Sequence, residues 1–203
     1  GLGYQSFVNV LAAKGLTELR RHHQINHLPP VRTARPRSRI SNQTIDHSLA
    51  INDVYVILKC ATSHNDVALT HWLDDRLLTA MTNRSTVRFD KIPDAFFVLE
   101  VGGVRFGHFL EIDTGSEAAV GHMNPHSWEL AIRRYGRYLR DVFPTDQFFA
   151  SFTRPVVLTV TSSEQRMSSL LEATRRARGA GTYWYTTQQA LSPADMVVPS
   201  VLW

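Results

Sequence analysis

Two carboxylates, Asp94 and Glu111, are placed symmetrically about the pair Gly102-Gly103 in this 203-residue chain. Asp94 precedes the first glycine by eight residues, and Glu111 follows the second glycine by eight. A Gly-Gly pair between apolar segments predicts a β-hairpin with a two-residue turn. Paired residues in this hairpin have numbers that sum to 205. The two acids are therefore predicted to face each other, with Cα atoms roughly 4.5–5.5 Å apart.

Asp113 adds a third acid on the same side of the predicted strand, two residues after Glu111. Like charges held this close destabilise a sheet unless a cation, a proton or open water relieves them. Mg²⁺ is held in proteins by one or two carboxylates together with waters and substrate phosphates. The spacing is consistent with a metal site of Asp94, Glu111 and Asp113 for Mg²⁺, with Mn²⁺ as a substitute. A solvated strand end is the alternative interpretation.

The segments around these acids resemble a known family. Pro93-Asp94 followed by a hairpin into Glu111-Ile112-Asp113 resembles the restriction-endonuclease-like fold, whose motif is Pro-Asp and then Glu-x-Lys. Within that superfamily, residues 92–95 and 109–115 are more similar to the plasmid replication-relaxation family. Residues 46–55 also resemble that family's His-x-Leu-Ala-x-Asn-Asp signature, and the similarity extends from about residue 46 over most of the chain.

The resemblance implies an α/β fold with a restriction-endonuclease-like core, in which helices flank a central mixed β-sheet. It implies catalytic and metal-binding roles for Asp94, Glu111 and Asp113 if the protein is active. It also covers His47 and Asp53, which become candidates for a role in the site, although helix capping and surface exposure explain them almost as well.

The chain departs from the superfamily pattern at the catalytic lysine. Asp113 occupies the position two residues after Glu111 where that lysine usually stands, and the following helix contains Arg133 and Arg134 but no lysine. The lysines of the chain are Lys14, Lys59 and Lys91, and none falls at either position. Arg133 or Arg134 could replace the lost charge, although arginine stays protonated and cannot act as a base. Hydrolytic activity is therefore in question from the sequence.

The positive charge of the chain is concentrated near its beginning. The net charge is +4, and residues 19–45 contain six arginines and no acid. This segment also contains three prolines and few apolar residues, which is typical of an extended linker. A basic tether suits the phosphate backbone of DNA, although a solvated linker without a partner is the alternative. The candidate DNA-binding residues are Arg20, Arg21, Arg32, Arg35, Arg37 and Arg39.

The sequence predicts three parts. Residues 11–19 resemble the closing segment of the winged-helix domain that usually precedes the nuclease-like part in this family, so residues 1–23 are predicted to be a remnant of such a domain. Residues 24–44 form the basic linker, and residues 45–203 form the restriction-endonuclease-like domain. If so, the chain starts partway through the winged helix.

The hydrophobic pattern predicts alternating helices and strands in the third part. Strands are predicted at residues 67–73, 86–89, 156–161 and 183–187. A helix is predicted at residues 45–61, with an apolar surface of Leu49, Val54, Val56, Ile57 and Cys60. A second helix, capped by Asn124 with Pro125 in its first turn, runs to residue 142, and a third begins at Ser162 or Ser163.

No segment approaches the roughly 18–20 apolar residues of a membrane span, and the beginning of the chain lacks a signal-peptide layout. A cytoplasmic location without membrane partners is therefore expected. Three functions agree with the sequence. The first is a DNA-associated accessory protein of plasmid replication or mobilisation, concerned with DNA relaxation, whose nuclease-like domain is not clearly active. The second is a Mg²⁺-dependent DNA endonuclease or nickase. The third is a protein–protein module that docks on a relaxase or a replication initiator.

Overall fold

The hairpin around Gly102-Gly103 forms in the predicted register. In the computed structural model, strand β2 (Ala95–Val101) pairs antiparallel with strand β3 (Val104–Asp113), and the register matches Ala95 with Leu110 and Val101 with Val104. Both glycines have positive φ angles, 56° and 82°. Two consecutive positive φ angles are the requirement of a type I′ turn, which glycine meets without steric cost.

Five strands form one mixed sheet in the order β1-β2-β3-β4-β5. Strand β1 (Val67–Asp74) is antiparallel to β2, while β4 (Val156–Thr161) and β5 (Tyr183–Thr187) continue the sheet in parallel beyond β3. The central strands β3 and β4 are buried along most of their length, as expected for strands covered on both faces. The predicted α/β class with a central mixed sheet is confirmed.

The two faces of the sheet are covered by different helices. Helix α1 (Asn42–Thr62) packs on one face against alternate residues of β2 and β3, including Phe97 and Leu110. Helices α3 (Trp128–Arg137) and α4 (Glu164–Arg176) pack on the other face, against Phe96 and Phe109. Because side chains alternate along a strand, Glu111 has the same parity as Phe109 and points toward the face of α3 and α4.

Helix α1 differs from its prediction in the face that it buries. Its buried side chains are Ala50, Val54 and Leu58, which are spaced by four residues and form one stripe. Val56 is 53% exposed, and Leu49 and Cys60 are also exposed. The prediction was wrong for these three residues because apolar side chains occur all round this helix, and only the stripe that meets the sheet is buried.

The elements after the hairpin follow the predicted order. Helix α3 continues into a π-helical turn (Tyr138–Val142) and then a short 3₁₀ turn (Phe143–Thr145), so its end agrees with the prediction. Ser163 caps α4, because its side chain accepts a hydrogen bond from the backbone N–H of Arg166. Helix α2 (Asp75–Arg84), which directly follows β1, was not predicted.

The structure describes residues 42–62, 66–84, 89–115, 127–146, 148–153, 155–179 and 181–191, and these belong to one compact unit, Asn42–Trp203. The predicted winged-helix remnant, nearly all of the basic linker and most of the strand at residues 86–89 lie outside these ranges. The prediction that Asn124 caps α3 was wrong, because the helix begins at Trp128 and its N-cap is Ser127 in an extended conformation. None of the helices in the described part is long and apolar enough to cross a membrane.

Candidate functional site

The predicted acids line one cavity at the end of β3, with a volume of about 230 Å³. The residues around it come from both layers of the fold, because α1 and α3 each contribute a side chain at this end of the sheet. The lining residues are His47, Lys91, Asp94, Glu111, Ile112, Asp113, Thr114 and Trp128.

Asp94 is held in place by contacts on both sides. Its Oδ2 accepts a hydrogen bond of 2.8 Å from the backbone N–H of Ile112, and its own N–H donates to the carbonyl of Leu110 at 3.1 Å. Its Oδ1 lies 3.1 Å from Nε2 of His47 on α1. This hydrogen bond raises the pKa of His47 above its usual value, against the opposing effect of burial. Among the residues implied by the family signature, His47 therefore lies in the site.

Glu111 is buried and receives two side-chain donors. The ammonium group of Lys91 lies 2.5 Å from Oε2, and the hydroxyl of Tyr135 on α3 donates to Oε1. Burial raises the pKa of the Glu111 carboxyl to about 7, while Lys91 opposes that shift. The same burial raises the pKa of the Tyr135 hydroxyl well above its usual value, so this group stays a donor.

Lys91 is the cavity-lining residue that the sequence interpretation missed. It precedes β2 and stands three residues before Asp94, outside both positions where a lysine was expected. Its ammonium nitrogen lies 5.8 Å from the ring centroid of Trp128 and 6.0 Å from that of Tyr135, within the range of cation–π attraction. The indole of Trp128 is fixed in turn because its N–H donates to Thr174 at 3.2 Å. The site therefore contains a positioned lysine.

Asp113 lines the cavity, but both oxygens of its carboxylate already accept hydrogen bonds. Arg166 on α4 donates to both of its oxygens at 2.8 Å, and Thr161 on β4 donates to Oδ2 at 3.0 Å. Burial acts to raise the pKa of Asp113, but the hydrogen bonds from Arg166 and Thr161 hold it below its usual value. A bidentate arginine neutralises the carboxylate, so the third acid already has its counter-charge.

The remaining candidates lie elsewhere. Arg133 and Arg134 do not line the cavity, and Arg133 lines a separate groove beside α3. Asp53 is exposed on α1 and lines a different depression, with Val54 and Leu191. The candidate DNA-binding arginines at residues 20–39 lie outside the described residues.

The donor chemistry of the cavity fits a Mg²⁺ ion held by two carboxylates. The two oxygens of a carboxylate offer about four acceptor positions, so Asp94 and Glu111 keep acceptor capacity beyond the hydrogen bonds described above. Mg²⁺ retains several waters and needs only one or two protein carboxylates. Within the described ranges, no group of three or more His, Cys, Asp or Glu side chains is placed to hold a metal ion.

A protein-family model matches most of the chain. The model of a family described as replication-relaxation matches residues 1–149 of the 203-residue chain. The chain belongs to the replication-relaxation family. This membership suggests a role in plasmid replication or mobilisation, with DNA or replication-related partners. Searches of curated proteins and of solved structures gave no match.

Proposed function

We propose that this member of the replication-relaxation family acts on plasmid DNA in replication or mobilisation, and that its cavity is a Mg²⁺-dependent centre for cutting one DNA strand. The observation that carries the proposal is the position of Lys91. Its ammonium group lies 2.5 Å from Glu111 in the cavity that Asp94 also lines. Two carboxylates that can bind a metal ion and a fixed positive charge in one cavity suit metal-dependent phosphodiester hydrolysis.

The side chains of the cavity have different roles in the proposed reaction. A Mg²⁺ ion held by Asp94 and Glu111 would supply charge neutralisation to the phosphate oxygens. Lys91 provides a fixed positive charge where negative charge develops as the oxygen of a water molecule adds to phosphorus and a P–O ester bond breaks. The attacking water gives up a proton, and the departing ester oxygen takes up a proton to leave as a hydroxyl group. Tyr135 fixes the orientation of Glu111 through its hydrogen bond, and His47 does the same for Asp94. These two are positioning residues.

The test is nicking of supercoiled plasmid by the full chain with Mg²⁺ or Mn²⁺, compared between the wild type and Lys91→Gln. We expect nicking to fall by about 100-fold, the usual effect of removing a group that stabilises transition-state charge. Lys59→Gln is the matched control, because Lys59 is an exposed lysine on α1 that does not line the cavity. The control variant should nick like the wild type.

Metal binding is measured on the same samples by calorimetry. Binding of Mg²⁺ by the wild type and its loss in Asp94→Ala would support the metal site. Nicking that survives in Lys91→Gln and Asp94→Ala alike would indicate a contaminating nuclease and would remove the proposed activity.

A second candidate function is a domain that holds DNA or a protein partner without cutting DNA. The observation that favours it is the state of Glu111, whose two oxygens both accept hydrogen bonds and whose pKa burial raises to about 7. Such a satisfied buried network also serves to fix a fold. A relaxase or replication initiator is the protein partner that this function implies. Absence of both metal binding and nicking in the wild type would favour it.

A further inference from the structure

A second surface of the domain is positively charged, in contrast to the acidic cavity. It is a groove of about 1040 Å³ beside α3 and the end of α4, and no acidic residue lines it. We call it the arginine groove, and define it by the four arginines that line it, which are Arg133, Arg137, Arg140 and Arg178.

Part of this charge is neutralised by neighbours outside the lining. Arg137 pairs with Asp90 at 3.0 Å, and Arg140 pairs with Asp141 at 2.7 Å. Arg133 and Arg178 make no ion pair within the described part of the chain, and both are exposed. The groove thus offers at least two guanidinium groups to a ligand.

The backbone at Arg178 shows that this arginine occupies an unfavourable position. Its φ angle is +59°, in the left-handed region that costs a side chain roughly 1–2 kcal/mol. It is the first residue after the C-cap Ala177, where glycine is preferred. The next residue is the glycine, and a Cβ at Gly179 would lie 2.8 Å from Cγ2 of Ile132. Close packing therefore requires glycine at 179, while position 178 carries a charge at the cost of strain.

The spacing of the arginines indicates the shape of the ligand. Arg133, Arg137 and Arg140 follow one another at intervals of four and three residues along α3 and its π-helical extension. At about 1.5 Å per residue, they extend over roughly 10 Å. Successive phosphates of one nucleic-acid strand are spread over a comparable length, so an extended polyanion can contact several of these guanidinium groups in turn. Arginine is suited to such contacts because it binds phosphate in a bidentate manner.

We infer that the arginine groove binds the phosphate backbone of DNA, as a contact surface additional to the acidic cavity. The inference rests on the proposed function in one respect, which is the choice of DNA as the polyanion that binds. Backbone contacts of this kind add affinity that is independent of sequence and is lost with salt.

The experiment measures binding of a labelled DNA duplex to the full chain by fluorescence anisotropy over a series of salt concentrations. EDTA is present, so that binding is separated from any cutting and the result does not depend on the cavity. The test variant is Arg133→Gln with Arg178→Gly, which removes the two arginines without ion pairs and relieves the strained backbone. Arg76→Gln with Arg175→Gln is the matched control, because it removes the same charge from two exposed arginines outside the groove that likewise make no ion pair within the described part of the chain.

We expect the groove variant to bind DNA at least about 10-fold more weakly and to reduce the salt slope by roughly 2, since each lost phosphate contact changes that slope by about 0.9. The control should keep the slope of the wild type. Equal weakening in both variants, or unchanged binding in the groove variant, overturns the inference. Binding of poly-glutamate but not of DNA by the wild type would assign the groove to an acidic polypeptide and would also overturn it.

Discussion

Lys91 and Glu111 form an ion pair at the end of the sheet, with Nζ 2.5 Å from Oε2, although twenty residues separate them in the chain. The side chain of Glu111 is only 6% exposed, while that of Lys91 is 22% exposed. A carboxylate buried to this degree depends on its cation, because losing one partner of a buried pair leaves an uncompensated charge.

Replacing Lys91 with methionine should therefore destabilise the protein by about 2 kcal/mol, below the roughly 3–5 kcal/mol of fully buried pairs because Lys91 retains some exposure. The double variant Lys91→Met with Glu111→Gln should recover part of this loss, since it removes both charges together. Urea unfolding of the two single variants and the double variant measures the coupling. Losses that simply add would show that the two groups do not interact.

The hydroxyl of Tyr135 should also contribute to stability, because it donates to buried Glu111. Tyr135→Phe leaves one oxygen of that carboxylate without this donor, and we expect a loss of about 1–2 kcal/mol. Tyr138 on the following turn is the matched control, because its buried hydroxyl has no hydrogen-bond partner within the described residues. Tyr138→Phe should therefore change the urea midpoint little. Equal losses of stability in the two variants would show that the hydrogen bond from Tyr135 to Glu111 makes no measurable contribution of its own.

That Asp94 and Glu111 line one cavity could be predicted from the sequence, because the register of a hairpin follows from its two-residue turn and its alternating apolar face. Each of these signals is local. The position of Lys91 could not be predicted in this way, because it depends on the path of the segment before β2 and on the rings of Trp128 and Tyr135. The feature of the sequence that could have indicated Lys91 was its position three residues before Asp94.

The ion pair of Asp113 with Arg166 could not be predicted from the sequence for a related reason. The alternation of β3 correctly places Asp113 on the side of Glu111, but its partner Arg166 comes from a helix that follows β4. That contact depends on the parallel pairing of Asp113 with Thr161, which brings the start of α4 to the same end of the sheet. The buried face of helix α1 was also not predictable from the sequence. Its apolar residues lie on more than one face, and only the packing decides which stripe is buried.

His108 should make the stability of the protein fall at acid pH. Its ring is buried and stacks on Phe97 at 4.7 Å, and burial lowers its pKa to about 4. An unfolded histidine has a pKa of about 6.5, so the unfolded chain binds more protons than the native state between these values. This contribution is fully present above pH 6.5 and is lost as the pH falls toward 4, by up to about 3 kcal/mol.

The variant His108→Leu removes the titrating group while keeping an apolar side chain of similar size. Urea unfolding of the wild type and the variant between pH 4.5 and 8 should give curves of stability that converge or cross as the pH falls, because only the wild type loses the histidine contribution. Parallel curves would indicate that His108 has the same pKa in the native and unfolded states and that other groups cause the acid sensitivity.

The C-terminal end of α4 offers a test in which the same chemical change has opposite effects three residues apart. Arg178→Gly places glycine at a φ angle of +59°, where a side chain is strained, and should stabilise the protein by about 1 kcal/mol. Arg175→Gly makes the same replacement inside the helix and should cost about 1 kcal/mol. Thermal or urea unfolding measures both. Destabilisation by Arg178→Gly would mean that the arginine makes contacts that outweigh its strain. Stabilisation combined with weaker DNA binding would mean that the strained arginine is kept for its charge in the groove, because stability alone favours glycine there.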